Sequence, residues 1–142
     1  MRFMMIVKAT KDSEQGVMPG EKLINEMQKY HEELQKAGVL LDASGLKPSR
    51  NGWRVKYSGS KRSVVDGPFA EAKELVAGYT LIQVRSREEA MEWARRFPNP
   101  SIDGGEAELE VRPLYELEDF GDSEGIARFR EMEKQMRKKQ GA

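Results

Sequence analysis

The chain has 142 residues, no cysteine, one histidine, and 24 basic against 24 acidic side chains. That length suits one domain with a real core, and the lack of cysteine excludes disulfides, thiolate metal sites and cysteine nucleophiles. One histidine excludes a histidine-rich metal site within a single chain, and balanced charge argues against a general polyanion binder.

The opening run Phe3 to Val7 is apolar throughout, which fits a central strand covered on both faces. It is short and soon broken by Lys8, so it does not resemble a signal peptide. No apolar run approaches the ~20 residues needed to cross a membrane, and a soluble, cytoplasmic protein with no membrane partner is expected. Thr10 to Gly20 is polar and punctuated by Gly and Pro, predicting a loop. Leu23, Met27, Tyr30, Leu34 and Ala37 recur every three or four residues, predicting a helix over 21–37. Gly38 stands where a left-handed C-cap is expected. A short strand follows at Val39 to Ala43.

Trp53 to Tyr57 alternates strictly, predicting a strand with one wet face. Ser58-Gly59-Ser60 is a hairpin turn, and Lys61 to Val65 returns. Val76 to Val84 holds another strand. Ser86 and Glu89 have the spacing of a capping box, and Ala90, Trp93, Ala94 and Phe97 form one face of the next helix, stopped by Pro98. Leu109, Val111 and Tyr115 mark a last strand. From Glu116 onward acidic residues come first and basic ones last, with an apolar stripe of Ile126, Phe129, Met132 and Met136.

This order is β-α-β, a hairpin, then β-α-β. It predicts an α+β fold of the ferredoxin-like split βαβ type with an inserted hairpin. Residues 1–120 form the main domain and 121–142 a C-terminal amphipathic helix. Two helices cover one sheet face. The economical cover for the other is a second copy, giving a homodimer.

Between the strands lies Asp66-Gly67-Pro68-Phe69-Ala70-Glu71-Ala72-Lys73-Glu74, with a turn former, a helix breaker, an aromatic ring and four charged residues in nine positions. Together with Gly78-Tyr79, the opening strand and the helix ending at Gly38, this stretch resembles the DGPF-type branch of the YCII-related family, over roughly residues 1–120. The resemblance implies a dimeric α+β barrel. Relatives of the YCII type carry a histidine and an aspartate in a cleft, suggestive of enzymes. The DGPF branch mostly has no assigned activity, and some members occur near or fused to sigma-factor-like regions. His31 lies on the first helix as the family histidine does, but about one turn later. The acid ending the first strand has no counterpart, because Lys8-Ala9-Thr10 stands there.

Each candidate has two readings. Asp66 is a general base or ligand acceptor, or else a turn cap. Phe69 walls a pocket or plugs the core. Glu71, Lys73 and Glu74 form an acid/base cluster or a solvated charge run. His31, about 60° from the centre of its helix's apolar face, reaches a cleft or is a hydrogen-bonded rim residue. Trp53 and Tyr57 line a pocket, or pack in the core or a dimer interface. The basic end of the last helix complements the helix dipole rather than marking a nucleic-acid site, and its stripe docks on the body or a partner.

The leading expectation is a small-molecule site in a dimer cleft. Asp66, His31 and Lys73 would be catalytic, and Phe69, Glu71 and Glu74 would bind substrate. Any chemistry would be acid/base work with no metal and no cofactor, Lys73 steadying negative charge. The alternative is a non-catalytic regulatory or protein-binding module.

Overall fold

The computed structural model describes residues 1–140. Strand β1 (Arg2–Lys8) is followed by a one-turn helix α1 (Lys11–Glu14) inside the segment expected to be loop. Thr10 explains the departure: its hydroxyl accepts the Ser13 amide, and the Ser13 hydroxyl in turn accepts the Thr10 amide. Helix α2 (Glu21–Lys36) ends one residue before the predicted limit, and Gly38 takes a φ of 74° as its left-handed cap. Then come β2 (Leu40–Gly45), the hairpin β3 (Trp53–Ser58) and β4 (Lys61–Asp66), β5 (Val76–Gln83), α3 (Arg87–Arg96), β6 (Leu109–Pro113) and α4 (Glu124–Gln140). Residues 141 and 142 of the segment expected to close the chain lie outside the described residues. Among the described residues no helix is long and apolar enough to cross a membrane.

The main sheet has the order β2-β5-β1-β6, and every neighbouring pair is antiparallel. With α2 and α3 as crossovers, this is the ferredoxin-like split βαβ arrangement. The hairpin β3–β4 forms a separate two-stranded sheet.

Alternation along β1 sorts the two faces. Phe3 and Met5 are buried, and they stand opposite Ile82 and Thr80, also buried. Tyr30 and Leu34 of α2 and Trp93 of α3 close over this face. The Tyr30 hydroxyl donates to the Trp93 carbonyl at 2.6 Å, joining the two helices. Burial pushes the Tyr30 phenol above its ordinary pKa. The opposite face presents Met4, Ile6, Tyr79 and Leu81, only partly buried and without a covering helix of their own.

At the far side of the sheet, the Arg2 guanidinium donates to both oxygens of Glu116, at 3.1 and 3.0 Å. That hydrogen bond holds the Glu116 carboxyl below the usual carboxylate range. At the start of α3 the capping pattern differs from the expected box. Ser86 accepts the Glu89 amide, but the Glu89 carboxylate accepts the amide of Arg85, one residue before the cap.

Replacing Tyr30 with Phe leaves the buried Trp93 carbonyl without its donor. The expected cost is about 1–2 kcal/mol, seen as a lower urea midpoint with an unchanged slope.

Candidate functional site

The stretch from Asp66 to Glu74 leaves the hairpin and enters β5, and its course is fixed by a hub at Ser49. The Glu14 carboxylate accepts both the Ser49 amide, at 2.8 Å, and its hydroxyl, at 2.6 Å. The Ser49 hydroxyl oxygen also accepts the Phe69 amide at 3.0 Å. Gly67 donates its amide to Gly52, extending the β3–β4 ladder by one step. A Cβ on Gly67 would lie 1.9 Å from the Ser49 carbonyl oxygen, so only glycine fits this approach. Farther on, Leu75 accepts the amide of Ala9, anchoring the loop's exit to the end of β1.

Asp66 pairs across the hairpin with Trp53 and lies on the same face as Trp53, Val55, Tyr57 and Val64. Its side chain is exposed, and among the described residues its carboxylate accepts no hydrogen bond. The turn-cap reading therefore has no bond behind it. Phe69 is half-buried, with the Arg54 guanidinium 3.8 Å from its ring centroid. It is a stacking platform for a cation rather than a core plug. Glu71, Lys73 and Glu74 are exposed on a short 3-10 turn, and among the described residues none is held in an ion pair.

His31 stands elsewhere. Its Nδ1 lies 2.7 Å from the Met27 carbonyl and its Nε2 lies 2.8 Å from the Thr80 hydroxyl. A carbonyl only accepts, so Nδ1 carries a proton. Nε2 of the neutral ring then accepts from Thr80. Both nitrogens are engaged on the helix-covered face of the sheet, against Tyr30 and Phe97. Among the described residues no hydrogen bond or ring contact joins His31 to the 66–74 stretch.

Trp53 and Tyr57 are 65% and 67% exposed, so they are not core residues of the chain. Two cavities, of about 530 and 610 Å³, lie between α3 and β6 and around Arg2 and Tyr115. Neither is lined by His31 or by any residue from 66 to 74.

Two arrangements escaped the reading of the sequence. One is the Glu14–Ser49 clasp, formed by residues with no motif to mark them, 35 positions apart. The other is on the open sheet face, where the Tyr79 hydroxyl donates to Asp42 at 2.9 Å. An acid interrupting the apolar run of β2, and the two-residue period along β5, were the available signals for that pair.

Residues 1–115 match the model of the YCII-related domain. An uncharacterised protein of Rhizobium meliloti is 33% identical over 94 residues, which cover 66% of this chain and 74% of that protein. A solved structure of 5-chloro-2-hydroxyhydroquinone dehydrochlorinase from Burkholderia phenoliruptrix, in complex with 2,5-dihydroxybenzoquinone, aligns with 81% of this chain and 94% of its own, at 13% identity and a TM-score of 0.45.

Gly67→Ala is expected to force the loop away from Ser49, with a cost of about 1–3 kcal/mol. Chemical denaturation against Gly45→Ala, whose added methyl meets nothing closer than 4.0 Å, separates the clash from a general glycine effect.

Proposed function

The chain belongs to the YCII-related domain family, and from that premise we propose that it binds a small molecule in a cleft completed by a second copy of itself. The observation that carries this reading is the placement of Asp66. Its carboxylate is exposed and unbonded among the described residues, on a loop whose backbone is clamped by Ser49 and Gly67. A free acceptor on a clamped loop is pre-organised for a ligand, and it leaves little ordering entropy to be lost on binding. The open sheet face with Met4, Ile6, Tyr79 and Leu81 has the apolar character that a facing copy would cover.

The chemistry this supports is proton transfer without metal or organic cofactor. Asp66 is the base, since His31 has both nitrogens engaged. Lys73, seven residues on in the same loop, supplies positive charge for an oxyanion formed when that proton leaves. Phe69 with Arg54 offers a flat, cation-backed surface for a ring or a conjugated anion, and Glu71 and Glu74, exposed on the same loop, would contact the substrate. A non-catalytic contact module is the second reading. The observation favouring it is the exposed stripe of Phe129, Met132 and Met136 on α4.

A thermal-shift screen against small metabolites tests the proposal, with Asp66→Asn beside the natural chain. A ligand at about a hundred times its Kd adds roughly 2.7 kcal/mol to the folded state, raising the midpoint by several degrees. The expected result is a hit that Asp66→Asn loses while keeping its unliganded midpoint. No hit at millimolar ligand would move the assignment to the contact module.

A further inference from the structure

The hairpin β3–β4 is built unlike a water-facing hairpin. All twelve of its strand residues are exposed. An isolated two-stranded ribbon is marginal in water. Yet one face carries Trp53, Tyr57 and Val64 at 65%, 67% and 67% exposure, with Val55 between them. Its cations, Arg54, Lys56, Lys61 and Arg62, face one acid, Asp66. Among the described residues none of the four is in an ion pair.

The opposite charge lies across the sheet. Glu106 and Glu108 lead into β6 and Glu110 lies within it, and among the described residues they too are without ion pairs. Register fixes the relation. β2 ends and β5 begins at the end of the sheet where Lys8 pairs Val76, and the hairpin is rooted there, on the β2 edge. β6 begins at that same end, with Leu109 opposite Val7. It stands on the other edge, three strand spacings or about 14 Å away. A two-fold axis running along the strands between two facing sheets sets the β2 edge of each copy against the β6 edge of the other. The hairpin root of one copy then meets Glu106–Glu110 of the other, and the same contact is made twice.

We propose that the β3–β4 hairpin is an arm that seats its Trp53–Tyr57 face on a second copy, beside that copy's Glu106–Glu110 edge, and so carries Asp66 into a site shared by the two subunits. This rests on the self-association proposed above. It adds that the arm and the acidic edge are the two halves of the contact.

A charge-swap experiment decides it, read by sedimentation equilibrium of the full chain. The arm variant is Lys56→Glu with Arg62→Glu; the edge variant is Glu106→Lys with Glu108→Lys. All four positions are exposed, and circular dichroism checks that each variant folds. Each variant alone is expected to self-associate at least about tenfold more weakly than the natural chain. An equimolar mixture is expected to associate again, because both contacts of the mixed dimer then pair opposite charges. If both variants dimerise as tightly as the natural chain, the arm contact is wrong while the dimer stands. If the natural chain is monomeric at every concentration, the dimer reading fails and takes the arm with it.

Discussion

Two helices can cover only one face of a four-stranded sheet, and most of this molecule follows from that shortage. α2 and α3 both cross on the side of Phe3, Met5 and Ile82, and the core closes there around Tyr30, Leu34 and Trp93. The other face keeps the alternate residues of the same strands, Met4, Ile6, Tyr79 and Leu81. Because side chains alternate strictly along a strand, no shift of register could bury both sets with the helices at hand. On the proposed reading this apolar face is where a second copy sits.

The loop from Asp66 to Glu74 is held by means independent of the core. Glu14 fixes Ser49, Ser49 receives the Phe69 amide and abuts Gly67, and Arg54 stacks on the Phe69 ring. These contacts make the path from Asp66 to Phe69 rigid while leaving the Asp66 carboxylate free. That combination is what supports the proposed binding role, since a plain connection has no need of a clamp. His31 shows the contrary case. Its partners, Met27 and Thr80, lie within the packed layer, and its imidazole bridges helix to sheet. A titratable residue type is therefore a weak guide to a site unless its polar atoms are unspent.

The fold was legible wherever periodicity carried it. The stripe from Leu23 to Leu34, the alternation of Trp53 to Tyr57 and the apolar strand at Tyr79 each report a local geometry with one solution. Gly38 marked the end of α2 for the same reason, since few residues tolerate its φ. What stayed hidden depends on contacts between distant positions. Ser49 and Glu14 have no local signal, because their value lies in meeting one another. Gly67 is constrained by the proline after it, but its larger constraint is the Ser49 carbonyl, which no local pattern announces. Trp53 and Tyr57 were readable as apolar but not as exposed, for alternation fixes which residues share a face and not what that face meets. For Asp66 the sequence marked the position. Only the structure shows that its carboxylate is unbonded among the described residues.

The central claim is that a second copy completes what one chain leaves open, and amide hydrogen exchange at two protein concentrations tests it most directly. On passing from dissociated to associated protein, the account predicts slower exchange in the paired amides of Trp53–Ser58 and Lys61–Asp66. Amides of β1 and β5, already inside the four-stranded ladder, should change little. Hairpin exchange that is fast and identical at both concentrations would contradict the account.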